Sequence, residues 1–410
     1  MSGCAAGYGP EGYAPSAPYT AGSRASGPES LADLGRGNLG AAGPAAILLP
    51  LSGSLAGIGQ PMLTAARLAL AAPGSPPLLT ADTGSTAAGA AAAARGVLAR
   101  GARLLLGPLT APETAAVAPL AGAAGVPMLA FTNDPAVARP GVWTLGITPG
   151  QQVRALVRAA TRQGRTRFAA LLPDTPLGRL MAQALALATR RAGLPPARIR
   201  FHSGGMTSIN ATARSLSGYA GRWGPIQQQI RAAEATGTLA GRREAAALRK
   251  STPPPPPFDV LLLADTGEAL AELAAVLSYY VVSPPAVQIV GPMLWRTRAS
   301  GAMRVPGAWF PASDPSDRGG FVAAYTARTG AAPPGFADLA YDAGGLARVA
   351  AAAGYDPAAL TAPRGFAGAD GWLVLAPDGH VRRGLAVFAL HGAAGAQLVV
   401  PPPPGPGVAA

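Results

Sequence analysis

Three histidines, one cysteine and a scatter of acids are the groups in this chain whose chemistry would show first, and their placement argues against most of it. His202, His380 and His391 fall on separate predicted elements, with no second ligand at metal spacing and no partner cysteine. Cys4 sits in a Gly-, Ala- and Pro-rich leader. No Gly-x-Ser-x-Gly elbow occurs, so no nucleophile is presented on a strained turn. Glycines follow the first apolar run as Gly53-x-x-x-Gly57-x-Gly59, and Asp82 ends the second run about where a ribose-binding acid would sit. That spacing is wrong for a dinucleotide loop, Met62 stands in place of the third glycine, and no Gly-Lys-Ser/Thr marks a P-loop. The expectation is a protein that is not an enzyme and needs neither cofactor nor metal.

A different set of polar residues does have a pattern. Ser52, Ser54, Thr110, Thr132, Asn133 and Asp174 each come just past an apolar run. In open α/β sheets ligands bind outside the carboxyl ends of the strands, so these six are the candidates to line a cleft. Turns and helix caps use the same residue types, and the strand-end acids Asp82, Asp174 and Asp265 also suit capping. Arg154, Arg158 and Arg162 repeat every fourth residue and share one helix face, with Arg165, Arg167, Arg190, Arg191, Arg198 and Arg200 nearby. Such a face is either solvated or a dock for an acidic partner.

The elements that must place these residues follow an alternating rhythm. Residues 104–133 read as strand, Gly-Pro loop, Ala-rich helix, strand, and the same order recurs from residue 45 onward. Strands alternating with helices predict α/β architecture, with parallel sheets flanked by helices. The rhythm breaks at residues 207–250, which read as a long helical insert. Thr236-Gly237-Thr238 offers a turn inside it, and the Pro253–Pro257 run follows. Arg214, Arg222, Arg231, Arg242, Arg243 and Arg249 make the insert basic against Glu234 and Glu244. The first five of these are the candidates for docking a partner. The expectation is that the fold does not need the insert, so that deleting residues 208–249 leaves a folded protein.

Composition sets the outer bounds. The 410 residues suffice for two lobes, and with 49% hydrophobic but only 6% aromatic residues the cores must be built from Ala, Leu and Val. The net charge of +13 is nearly all arginine, Lys250 being the single lysine. Arginine in place of lysine, with abundant Ala, Gly and Pro, is what a GC-rich genome produces. No cluster of arginine with stacking aromatics appears, so nucleic acid is not an expected partner. One cysteine excludes an internal disulfide, and no apolar run reaches the roughly 18–20 residues that span a bilayer. Ser2-Gly3-Cys4 fits the end of a lipoprotein leader, with Met1 where an aliphatic residue is usual. Lipid attachment at Cys4, followed by a disordered tether over residues 1–43, is the expectation.

The segments AILLPLSGSLAGIGQPMLTAARLAL, LLTADTGST, LLLGPLTAPETAAVAPLAGAAGVPMLAFTND and LLPDTPLGRLMAQAL resemble type I periplasmic binding proteins of the branched-chain amino-acid class. The resemblance implies two α/β lobes joined by three crossovers. On the sequence these become residues 44–149 and 316–380 for the first lobe and 150–315 and 381–400 for the second. A disordered Pro-rich tail covers 401–410. The ligand positions depart from the class: Ala111 stands at the first-lobe serine, Leu177-Gly178 at the second-lobe Tyr-Gly, and Met293 at the acid after Gly291-Pro292. The insert before PPPFD, LSYYVVSPPAVQIVGPMLW, LAYDAGGLA and FAGADGWLVLAPDGHVRRGLAVFAL are more similar to the penicillin-binding-protein activator family of alphaproteobacterial type. That resemblance implies a non-enzymatic periplasmic lipoprotein of the outer membrane. Its partner would be a bifunctional penicillin-binding protein, stimulated by direct contact. The alternative is a periplasmic solute receptor of an ABC transporter whose ligand is not a plain branched-chain amino acid.

Overall fold

In the computed structural model the described residues are 27–33, 43–297, 300–391 and 395–406. They form two compact units divided after Gln151, Ala312, Leu385 and Pro401. The lobe that begins at the N-terminal side holds a parallel sheet in the order β3-β2-β4-β5-β6. Its strands are β2 (Ala45–Leu49), β3 (Leu78–Asp82), β4 (Leu104–Leu106), β5 (Met128–Ala130) and β6 (Val142–Thr144). The runs AAILL and LLL are buried throughout, as strands covered by helices on both faces must be. The crossover helices are α1 (Ala56–Ala69), α2 (Ala87–Ala99) and α3 (Ala111–Ala123). Ala65, Ala66, Ala90, Ala94, Ala118 and Ala121 on these helices are buried in the cores that hold the strand side chains, which explains a core poor in aromatics. The later helices α10 (Gly319–Thr329), α11 (Ala337–Ala352) and the short α12 (Pro357–Leu360) belong to the same lobe, and α11 packs along α1.

A second sheet of this lobe runs β1-β12-β13-β14. Strands β12 (Phe366–Gly368), β13 (Gly371–Leu375) and β14 (Val381–Arg383) are an antiparallel set, with the Asp378-Gly379 turn between the last two. Two expectations change here. Residues 381–383 pair with β13, Val374 opposite Arg382, so they belong to the first lobe and the chain leaves it only after Leu385. Within the stretch assigned to a tether, Glu29–Ser30 forms β1 beside β12, and Leu31 is buried in the core. At the other end Trp372 Nε1 donates to Pro403 O at 2.8 Å, and Gly405 is buried against Pro28, so residues 401–406 are docked rather than loose. The rest of the expected tether and the last four residues lie outside the described residues.

The other lobe holds the sheet β16-β15-β11-β10-β9-β7-β8. Parallel strands β7 (Phe168–Pro173), β8 (Arg198–His202), β9 (Val260–Leu262), β10 (Gln288–Val290) and β11 (Trp309–Ala312) continue into antiparallel β15 (Ala386–Leu390) and β16 (Ala396–Val400). Helices α4 (Pro149–Arg162), α5 (Pro176–Arg191) and α9 (Gly267–Tyr279) alternate with the first strands. The expected insert resolves into three helices: α6 (Gly205–Ser217), α7 (Tyr219–Ala235) and α8 (Leu239–Leu248). Thr236-Gly237-Thr238 is the turn between α7 and α8, with Thr238 capping α8 by accepting from Gly241 N at 3.0 Å. The start of the insert, however, is misplaced in the sequence. Ile209, Ala213 and Leu216 of α6 are buried in the same core as β7 and α9, so α6 is a crossover helix of the fold. Only α7 and α8 are additional, and they pack mainly on each other.

Candidate functional site

The carboxyl ends of β2, β3, β4 and β5 share one edge of the first-lobe sheet, and five of the six cleft candidates follow strands of a sheet built this way. Asp82, the last residue of β3, organises the loop after β2. Its Oδ1 accepts from Leu51 N at 2.8 Å, Ser52 N at 3.2 Å and Gly84 N at 2.8 Å, and its Oδ2 accepts from Ser52 Oγ at 2.5 Å. The Ser52 hydroxyl, then the Gly84 amide, hold the Asp82 carboxyl down at about 2. Ser85 closes the same loop by donating to Ser52 O at 2.8 Å and accepting from Leu55 N at 3.1 Å. Ser52 is therefore committed to its own loop, while Ser54 is exposed at its tip.

The loop after β4 is centred on Glu113, a residue the sequence did not single out. Thr110 caps α3, and Glu113 completes a capping box by reaching back to it. A capping-box glutamate is normally wetted, but this one is buried. Its Oε2 accepts from Thr110 N at 3.0 Å and Thr110 Oγ1 at 2.8 Å, and its Oε1 accepts from Thr83 Oγ1 at 2.7 Å. Thr83, fully buried after β3, thus joins two strand-end loops through one carboxylate. Pro112 brings no amide to this helix end, and Ala111 brings no hydroxyl. The sequence signal was present in Thr110-x-x-Glu113, a Ser/Thr-x-x-Glu box opening an apolar helix. After β5, the buried Thr132 accepts from Asp134 N at 3.1 Å, and Asn133 is exposed.

The second lobe repeats the construction. Both β2 and β7 run into a proline, Pro50 and Pro173, and the following helix comes so close that a Cβ on Gly59 or Gly178 would lie 2.0 Å from that proline's carbonyl oxygen. Gly178 is thus required by packing, whatever precedes it. Thr175 caps α5 by accepting from Gly178 N at 3.2 Å. Asp174 is exposed and paired with Arg179 at 2.8 Å. Met293 opens a 3-10 turn, and its amide donates to Gln152 Oε1 at 2.9 Å. Buried below this edge, His202 and Asp265 meet at 3.3 Å. Gly204 N donates to His202 Nδ1 at 3.2 Å, so Nε2 carries the hydrogen toward Asp265. Trp295 Nε1 donates to Asp265 O at 2.9 Å. This pair ties the ends of β8 and β9 together, and no sequence spacing announced it.

The docking arginines divide. Arg222 is turned inward: its guanidinium donates to Pro254 O at 2.6 Å, Tyr280 O at 3.0 Å and Val281 O at 3.4 Å. It fastens α7 to the lobe. Arg214, Arg231, Arg242 and Arg243 are exposed, and Arg249 pairs with Glu234. Cys4 lies outside the described residues. Among the described residues no group of three or more His, Cys, Asp or Glu could hold a metal, and no helix is long and apolar enough to cross a membrane.

Known proteins give this architecture a setting. A putative branched-chain amino-acid ABC transporter protein from Rhodospirillum rubrum aligns with a TM-score of 0.65 at 20% identity, over 87% of this chain and 99% of its own. A branched-chain amino-acid ABC transporter periplasmic ligand-binding protein from Burkholderia xenovorans aligns at 0.64 and 17%, over 89% and 96%. LpoA from Haemophilus influenzae aligns at 0.60 and 16%, over 88% of this chain and 60% of LpoA. These identities establish a shared two-lobed α/β fold. No curated protein sequence matches the chain. The family model described as periplasmic binding protein matches residues 44–365, most of the sequence, and the chain belongs to the periplasmic binding protein family.

Proposed function

We propose that the protein is a periplasmic solute receptor of the ABC-transporter type whose ligand is not a free branched-chain amino acid. The receptor half of the proposal draws on the family and on the transporter proteins from Rhodospirillum and Burkholderia that share the fold. The ligand half rests on Glu113. Thr83 Oγ1, Thr110 Oγ1 and Thr110 N, the donors that a strand-edge site would offer a ligand carboxylate, already hold the chain's own. A second carboxylate there would meet like charge and too few donors. Leu177 and Met293 bring neither a phenol nor an acid to an ammonium group. A buried ammonium without an anion costs several kcal/mol. The ligand class is therefore a neutral solute, bound without catalysis, and lipid on Cys4 would hold the protein at the membrane.

The second reading is the penicillin-binding-protein activator, acting on a bifunctional synthase from the outer membrane. The fold shared with LpoA supports it, as do the exposed Arg214, Arg231, Arg242 and Arg243. One experiment separates the two: a thermal-shift screen of neutral solutes and amino acids, followed by pull-down from solubilised envelopes. Saturable micromolar binding of a neutral solute supports the receptor. No ligand, together with recovery of a glycan-polymerising synthase, replaces it with the activator. Micromolar leucine binding would overturn the ligand class.

A further inference from the structure

The first lobe contains a buried charge cluster that no ligand-binding role requires. Asp342 on α11 and Arg383 on β14 have fully buried side chains, with Asp342 Oδ2 and Arg383 Nη1 3.9 Å apart. Asp370, in the β12–β13 turn, is buried beside them. Asp342 accepts from Ala369 N at 2.6 Å and Asp370 N at 3.2 Å, which pins that turn to α11. Among the described residues Arg383 Nε and Nη1 have no hydrogen-bond partner, while its Nη2 donates to Leu145 O at 3.0 Å. Ser313 Oγ donates to Asp370 Oδ1 at 3.0 Å.

Three of these residues have telling addresses. Leu145 lies just ahead of the division after Gln151, Ser313 is the first residue after the division at Ala312, and Arg383 precedes the division at Leu385. Three of the four passages between lobes are thus fastened, on the first-lobe side, to one cluster. The cluster holds two carboxylates against one guanidinium, so it is neutral only when it carries a proton. Burial, then Asp370, pushes the Asp342 carboxyl well above the usual carboxylate range, with Arg383 and the two amides opposing. Other titratable or charged groups near it are Tyr341, the buried Arg348 on α11, Asp338 one turn away on α11 with its ion-pair partner Arg318, and Asp317, whose Oδ2 lies against Gly371.

We propose that Asp342, Asp370 and Arg383 form a proton-dependent latch on the first three crossover segments, tight when one proton is bound and loosened when it leaves. The sign follows from linkage. The unfolded chain gives up the Asp342 proton near its ordinary pKa, whereas the folded chain keeps it to higher pH. Stability from this site therefore falls as pH rises between those two values. The relief available to the deprotonated cluster is to admit water or to release the 368–371 turn, and Ser313 with it.

Hydrogen exchange of the intact protein from about pH 6 to about pH 9, corrected for intrinsic exchange rates, tests this. Peptides covering 145–151, 313–316, 368–371 and 381–386 should lose protection at least about tenfold across that range. Strand β7 and helix α3 should not change. Asp342→Asn should flatten the profile, and Asp370→Asn, which also removes the surplus charge, serves if the first variant fails to fold. Flat protection in the parent protein overturns the latch, as does an unchanged pH profile in a folded Asp342→Asn or Asp370→Asn variant.

Discussion

Single residues at the strand edge are mostly engaged with each other, and that can be measured. Glu113→Ala leaves the buried Thr83 hydroxyl without its acceptor and removes the back half of a capping box. It should cost about 2–3 kcal/mol in urea unfolding, with Glu113→Gln costing less because the amide oxygen still accepts. Asp82 gives a pH signature. Its carboxyl is held at about 2 against an ordinary 3.8, so its contribution is present above the unfolded value and is lost as pH falls through the folded one. Acid unfolding between about pH 4 and 2 should be shallower in Asp82→Asn. The sequence placed polar residues correctly past strand ends, but sequence position cannot say whether a hydroxyl faces solvent or its own loop. The Ser52 and Thr110 hydroxyls turned to their own loops because an acid lay within reach, Asp82 for one and Glu113 for the other. His202 and Asp265 are 63 residues apart and meet only through sheet order, so no local spacing could reveal them.

At the scale of elements, the correction to the insert changes the experiment. Removing residues 208–249 would take Ile209, Ala213 and Leu216 out of the core, the Ile and Leu each worth roughly 1.5–3 kcal/mol when buried, and that variant should not fold. Removing 220–249 behind a short Gly-Ser bridge should leave a cooperative thermal transition and far-UV dichroism reduced by two helices. Some loss is expected even so, because Tyr219 stacks on Trp223 at 6.4 Å and packs edge-on to Tyr280 at 5.1 Å, and Arg222 bonds four carbonyls. Tyr279, at 69% exposure, would become still more open. The alternating elements were legible because each strand is a short apolar run closed by Gly, Pro or a capping residue. The 207–250 boundary was not, because α6 carries its apolar residues at Ile209, Ala213 and Leu216 among Thr, Ser, Asn and Arg, and reads as polar. The lobe of β14 was assigned wrongly because the boundary was set at the Asp378-Gly379 turn, although the strand after that turn folds back on β13, Leu375 opposite Val381.

For the whole molecule, calorimetry with leucine, isoleucine and valine should give no binding tighter than millimolar, equivalent to about −4 kcal/mol. Association with any acidic partner should weaken steeply with salt, given the charge of +13. The two-lobed class was readable from strand-helix alternation and from the family-like segments, since these are long and local. The ends were not, because two strand residues and a buried Leu31 are too little sequence to rise above a Gly- and Pro-rich background. Those ends have a mechanical meaning. Pro28 touches Gly405, and β1 joins the sheet through Glu29 and Ser30, with Leu31 N donating to Ala367 O at 2.8 Å. Residues 28 and 405 thus lie side by side on the first lobe. A load on the N-terminal side would be borne first by the short pairing of β1 with β12, and peeling it would draw Leu31 away from Gly345 on α11 before any central strand felt the force.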